Sequence, residues 1–283
     1  MTAASIHDHG ADRQVLDNLR AAMYNFESST VRAELSAAFA ADAVVQLAFP
    51  FETLAGAEGW FTEALAPLHL AFPDLERRDY IVMAGPDPYG QSWVGCGGDY
   101  TGTFVEPFLD IPPTGRPASM RFHEFFRMEA GRVVEVQALW DIPELMHQAD
   151  VWPMGPSLGR NWRAPAPATQ DGLISGPWDG PRSRASCAHV IAMLGDLGKY
   201  PTEPAEAMRL DHWWHQRFGW YGPAGIGTSR GIDGFRRFHQ IPIIAAMPDR
   251  TGGYKGDSNF FGDADYVGVT AWPGMRMTLS GDG

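Results

Sequence analysis

The sequence predicts an α+β fold built twice in one chain, and three observations carry that prediction. In each half, stretches with helical spacing of apolar residues come first and strand-like runs follow. A segment of the first half returns in the second at a constant offset of 175 residues. Between the halves lies a stretch too rich in proline and glycine for regular structure.

The repeat is the strongest of the three. Gly56, Gly59, Pro67, Ala71, Pro73 and Asp74 stand at the offset of Gly231, Gly234, Pro242, Ala246, Pro248 and Asp249. That is six identities in nineteen ungapped positions, where residue frequencies give about one or two. Most of them are glycine or proline, which set backbone geometry, so two homologous units are expected.

In the first unit Val15, Leu19, Met23 and Phe26 recur at helical spacing, and Thr30 is placed to cap a second helix carrying Leu35 and Phe39. Ala43 to Phe49 reads as a strand. Trp60, Ala64, Leu68 and Phe72 mark a further amphipathic helix that ends near Pro73. Tyr80–Met83, Ser92–Tyr100, Ser119–Met128 and Arg132–Leu139 are strand candidates separated by Gly/Pro turns. Helices before antiparallel strands place the helices on one face of a curved sheet, with a hollow between the layers.

Residues 151–182 hold six prolines and five glycines and read as a linker, with Trp152, Trp162 and Trp178 suited to pack on a surface. This divides the chain into 1–150, the linker, and a second unit at 183–283. There Ala188–Leu194 and Ala205–His215 read as helices, followed by a strand from Gly219 to Tyr221 and the helix after Gly234. Strands near Tyr266–Ala271 and Met275–Ser280 complete it. Ser280 and Gly281 resemble Thr101 and Gly102, about forty residues short of a complete unit, so the second copy is expected to lack its C-terminal strands. This fits a fragment better than a catalytically incomplete copy, because a sheet without them exposes an unpaired edge.

With 283 residues, 45% of them hydrophobic, the chain can bury enough surface to fold without staples. A net charge of −12 without a Lys/Arg block argues against nucleic acid and anionic membrane surfaces as partners. Cys96 and Cys187 are too few and too far apart for a disulfide framework. No apolar run suits a signal peptide or a membrane span, which points to the cytoplasm.

Three segments of the first unit, in this order, carry a resemblance: Phe72, Pro73 and Asp74 after a helix, the Pro112 to Arg116 turn, and Gly131 to Asp141 continuing to Leu145 and Gln148. Together they span nearly all of residues 12–150, which resembles the SnoaL-like polyketide cyclases of the nuclear-transport-factor-like superfamily. The resemblance implies two cystatin-like α+β cones, each a curved, mostly antiparallel sheet with N-terminal helices, the second incomplete. It further implies an intramolecular aldol closure of a polyketide-like or other carbon-acid substrate, with no metal and no cofactor. The proton-moving aspartate is then Asp141.

Such a base needs a pKa raised by an apolar setting, which Leu139, Trp140 and Ile142 are placed to supply. Asp141 before Ile142 and Pro143 also fits a plain helix N-cap. Alternation puts Val133, Glu135, Gln137, Leu139 and Asp141 on one face of the last strand, and Arg121, His123, Phe125 and Arg127 on one face of the strand before it. The family's histidine from that strand matches His123, an oxyanion or acid partner unless it is structural, with Arg127 the alternative in another register. Glu135, Gln137 (where many relatives carry Trp), Tyr24, Gln46 and Trp93 are candidates for contacting substrate.

His212 and His215 are too few ligands for zinc, and Gly225 with Gly227 is only half a dinucleotide loop. Besides a cyclase, two readings stay open: a binding protein for a hydrophobic small molecule, and an isomerase or dehydratase on the same fold. A homodimer through the sheet faces is a further expectation.

Overall fold

The structure is a computed structural model that describes residues 7–250, 258–272, 274 and 277–278. Helices α1 (His9–Val15), α2 (Asp17–Tyr24) and α3 (Ser28–Ala38) come first. The helical run expected from Val15 to Phe26 is thus broken after Val15. Asp8 caps α1 by accepting the Gly10 N–H at 2.9 Å. Glu27, not Thr30, caps α3: its carboxylate accepts the N–H groups of both Ser29 and Thr30.

Strand β1 (Phe39–Leu47) turns back through β2 (Glu52–Ala55), a strand too short to stand out in the sequence. Then follow α4 (Gly56–Trp60), a π-helical turn over Phe61–Leu65, and α5 (Ala66–Ala71). Strands β3 (Glu76–Pro86), β4 (Ser92–Thr103), β5 (Pro117–Glu129) and β6 (Arg132–Trp140) and helix α6 (Ile142–Gln148) close the first unit. The six strands form one mixed sheet in the order β2-β1-β6-β5-β4-β3, with β1 parallel to β6 and every other neighbour antiparallel.

One face of this sheet carries the core. Val136, Ala138 and Trp140 of β6 and Phe122 and Phe126 of β5 pack with Leu19, Met23, Leu35, Trp60 and Leu68 from the helices. Glu135, Gln137 and Leu139 point the opposite way, with His123, Phe125 and Arg127 across from them. Val133 does not share their face. A bulge pairs Arg127 with Glu135 but Met128 with Val133, which turns Val133 into the core.

The hollow expected between sheet and helices is filled by side chains. Arg77, 2% exposed, reaches Glu124 at 2.5 Å, Asp79 at 3.0 Å and the Tyr100 hydroxyl at 3.0 Å. Tyr100 and the Trp140 indole N–H both donate to the other oxygen of Glu124, at 3.0 and 2.9 Å. The guanidinium also lies 4.2 Å from the Phe122 ring centre. Burial alone would lower the Arg77 pKa, but Asp79 and Glu124 outweigh it and hold the group charged.

In the C-terminal half, α7 (Gly180–Leu197) is far longer than the expected helix at Ala188–Leu194. The Ala205–His215 segment divides into a 3₁₀ turn, Ala205–Met208, and α8 (Leu210–Trp213), because Arg209 takes a left-handed conformation. Strands β7 (Gly219–Tyr221) and β8 (Thr228–Arg230), helix α9 (Gly231–Phe235), a π-helical turn over Arg236–Gln240 and α10 (Ile241–Ala246) come next. Hairpin β9 (Asn259–Asp263) and β10 (Tyr266–Thr270) follows. Instead of a second curved sheet, the described residues of this half hold two two-stranded sheets. The strand expected at Met275–Ser280 lies largely outside the described residues.

The offset of 175 nevertheless holds to the residue. Val44, Val45 and Gln46 pair with Ala55, Leu54 and Thr53, just as Gly219, Trp220 and Tyr221 pair with Arg230, Ser229 and Thr228. The helix–π turn–helix segments have the same bounds after the shift, and Gly56 and Gly231 open them at φ +62 and +68. Asp74 accepts the Thr103 N–H at 2.6 Å, and Asp249 accepts the Thr278 N–H at 3.0 Å, again at the same offset.

Hairpin β9–β10 and α7 lie over the sheet face opposite the core. Phe261 packs on Met83 and Trp93. A Cβ on Gly85 would fall 2.3 Å from the Gly262 carbonyl, so only glycine permits this approach of β9 to β3. Asp263 fastens it by accepting the Ala84 N–H at 2.8 Å and pairing with Arg13 at 2.6 Å. The irregular segment also touches the sheet: Val82 donates to Gly172 at 2.8 Å and accepts from Ile174 at 3.1 Å. No described helix is long and apolar enough to cross a membrane.

The filled hollow makes a prediction. Glu124→Gln leaves the buried Arg77 charge short of a partner, and should cost about 3–5 kcal/mol. Urea unfolding should show a lower midpoint at an unchanged slope.

Candidate functional site

Asp141 lies in one site, and His123 and Gln137 in another, on the sheet face away from the helices. Asp141 follows β6 and opens α6, but its side chain does not cap that helix; only its backbone carbonyl serves it, accepting from the Glu144 N–H at 2.9 Å. The carboxylate, 7% exposed, instead accepts from Arg121 Nη2 at 2.9 Å and from the Ala224 N–H at 2.9 Å. Arg121 also donates to the carbonyls of Tyr221 at 3.0 Å and Gly222 at 2.7 Å. The expected apolar surroundings of Asp141 are therefore replaced by polar ones. Trp140 points into the core by alternation, and Ile142 packs against it.

Asp141 and Arg121 line a cavity of about 310 Å³ with Glu144, His147, Arg160 and Arg163. Its opposite wall is the backbone of Gly222, Ala224, Gly227 and Thr228 from the C-terminal half. Glu144 accepts the Arg121 N–H at 2.7 Å. Burial, joined by the charges of Asp141 and Asp99, raises its pKa to about 7 against the pull of that N–H and of the guanidinium. Asp99, 2% exposed, pairs with Arg163 at 2.7 Å, and its pKa too is raised by burial.

Glu144, Asp99, Arg160 and Arg163 were not singled out in the sequence. The one available signal was the spacing of Asp141 and Glu144, three residues apart around the first turn of a helix, where neighbouring side chains meet.

His123 lies in the second site, a cleft of about 770 Å³ between the sheet and β10. Its floor is Gly95, Gly97, Phe125, Gln137 and Leu139, and its far wall runs from Tyr266 to Trp272. The cleft is apolar, with Leu139 52% and Phe49 81% exposed. The surrounding protein and then the Arg121 charge push the His123 pKa down, to about 4. The residue nevertheless keeps contact with solvent in the cleft. Gln137 donates to Glu135 at 2.7 Å and accepts from Thr270 of β10 at 2.6 Å.

Five other candidates have other tasks. Arg127 and Glu135 pair with each other at 2.9 Å. Trp93 is buried under Phe261 and donates to Asp87 at 3.0 Å. Tyr24 stands exposed on α2, in the helix layer, beneath the Arg78 guanidinium. Gln46 pairs in register with Gln137, and its Oε1 is buried without a partner. His212 and His215 form no metal-ligand cluster among the described residues. A groove of about 1170 Å³ around Ser28, Arg32 and Phe61 is lined by none of these groups.

Against known proteins, residues 18–149 match the family described as "SnoaL-like polyketide cyclase". No curated protein matches the chain. Among solved structures, IdmH from Streptomyces antibioticus is 24% identical, covering 50% of this chain and 99% of its own, with a TM-score of 0.41. AclR from Streptomyces galilaeus is 21% identical, covering 52% and 86%, with a TM-score of 0.43. TsrD from Streptomyces laurentii is 21% identical, covering 52% and 99%, with a TM-score of 0.42.

The raised Glu144 pKa gives stability a definite pH dependence. A carboxyl whose pKa is higher folded than unfolded stabilises the fold below pH 4.5 and loses that contribution as pH rises towards 7. Glu144→Gln should remove this decline and be more stable than the parent above pH 7, by about 1–3 kcal/mol. Thermal melts between pH 4 and 8 check it.

Proposed function

Since residues 18–149 belong to the SnoaL-like polyketide cyclase family, we propose that the chain is an acid–base enzyme closing a ring on a polyketide-like or other carbon-acid substrate. The observation that carries this reading is the carboxyl pair at the 310 Å³ cavity. Asp141 is held by a guanidinium and a backbone N–H, while Glu144 beside it has a pKa raised to about 7. A carboxyl group with a pKa near the working pH supplies an acid–base group at the cavity.

In this reading Glu144 removes the proton alpha to a carbonyl. The resulting enolate carbon attacks a second carbonyl carbon of the same chain, and the new alkoxide takes the proton back from Glu144. The steps need no oxidant or reductant. Arg160, lining the same cavity, offers positive charge where the enolate oxygen develops. Asp141 and Arg121 are positioning residues: they hold the Gly222–Ala224 wall against α6. The cavity is at the small end for ligand sites, with room for one ring or one end of a longer chain. The residue-exact repeat supports reading the C-terminal half as a reduced second copy that serves as cover for the first.

The test is turnover of short 1,3-dicarbonyl polyketide mimics. Glu144→Gln should cost about 10²–10⁴-fold and abolish the pH–rate limb near 7. Asp141→Asn should cost at least tenfold and keep that limb, moved to lower pH because the Asp141 charge that helps raise the Glu144 pKa is gone. If Glu144→Gln turns over at the parent rate, the reading is wrong.

The 770 Å³ apolar cleft favours a second reading, a binding protein for a hydrophobic small molecule. Leu139→Asp would then abolish uptake of a fluorescent apolar probe, with Glu144→Gln having no effect on it.

A further inference from the structure

A second polar cluster lies away from both sites, where α1 meets the start of β4. His9 and Asp12 are 8% and 3% exposed, and His7 stands over them with more than half of its side chain in solvent. One oxygen of Asp12 gathers three groups: His7 Nε2 at 2.6 Å, the Ser92 hydroxyl, and His9 Nδ1 at 3.7 Å. Ser92 Oγ also lies 2.8 Å from His9 Nδ1. One ligand atom from each of His7, His9 and Asp12 lies within 4.8 Å of the other two, the only such set among the described residues.

We propose that His7, His9 and Asp12 form a binding site for a divalent transition-metal ion, zinc above all. Two imidazoles and one carboxylate are the donor set of many such sites, and nitrogen donors select against calcium and magnesium. Ligands about 2.1 Å from zinc in tetrahedral array stand about 3.4 Å apart. The separations present span that figure, so shifts of about an ångström suffice. His7 precedes the helix and is mostly exposed, so it is free to make the largest of them.

The surroundings suit a cation. Arg13, next to Asp12 in sequence, is neutralised by Asp263 at 2.6 Å. The His9 ring is fixed edge-on to Trp178, with centroids 4.7 Å apart. Ser92 Oγ or a water entering beside His7 fills the fourth position. Binding displaces a proton wherever the ligating nitrogen carries one. The ion would tie the N-terminal segment to β4 of the sheet. The sequence carries the set openly, as His-x-His-x-x-Asp from His7 to Asp12.

The experiment is equilibrium dialysis of the full chain, without a histidine tag, against Zn²⁺ with metal analysis, and against Ca²⁺ in parallel. One Zn²⁺ per chain and no Ca²⁺ is expected, with a raised Tm. Co²⁺ in its place should give the visible spectrum of a four-coordinate ion. His7→Ala, at an exposed position that does not endanger folding, and Asp12→Asn should each weaken Zn²⁺ at least a hundredfold. Ser92→Ala should weaken it about tenfold. No retained zinc, or zinc held equally by His7→Ala and Asp12→Asn, overturns the assignment.

Discussion

The buried pair of Arg121 and Asp141 is the interaction on which the arrangement of the two halves rests. Taking both charges out of water costs several kcal/mol each, and their mutual attraction offsets this only when the remaining polar atoms are satisfied. Here the second half satisfies them: the carbonyls of Tyr221 and Gly222 accept from the guanidinium, and the N–H of Ala224 donates to the carboxylate. Neither half can satisfy the pair alone. The ion pair is therefore also the seam, and the cavity beside it has one wall from each half of the chain.

The two faces of the sheet explain why the cavity lies there. The face towards the helices has no room for a ligand, because Arg77, Asp79, Tyr100 and Glu124 fill its interior with a satisfied charge cluster. On the opposite face, Gly95 and Gly97 keep β4 low, and the hairpin β9–β10 stands over it without closing the gap. Part of the C-terminal half of the chain lies over this face. The carboxyl pair and the apolar cleft both lie on this side.

The repeat also has a physical meaning. Side chains differ almost everywhere between the two segments, yet β-pairing register, helix bounds and the π-helical turn coincide after the shift. The shared residues are mainly glycines and prolines, which act on backbone dihedrals. They keep a chain path while side chains change, as the positive φ of Gly56 and Gly231 illustrates.

Much of the first half was legible by itself, because periodicity and turn residues are local. Five of the six strands of the sheet, the alternation along β5 and β6 up to the bulge at Val133, and the 175-residue offset follow from them. What local rules cannot contain is what covers a strand. Alternation placed Asp141 and His123 on one side of the sheet; that this side faces the second half was decided by packing between residues about a hundred apart. The same holds for Glu144, which becomes a titratable group near neutrality only when distant chain buries it beside Asp99 and Asp141. Sequence alone determined which residues share a strand face, except at Val133, where a bulge breaks the alternation. The tertiary structure decided which face is wet, which is filled, and which carboxyl group is left able to exchange a proton, because desolvation and charge pairing depend on neighbours from the whole chain.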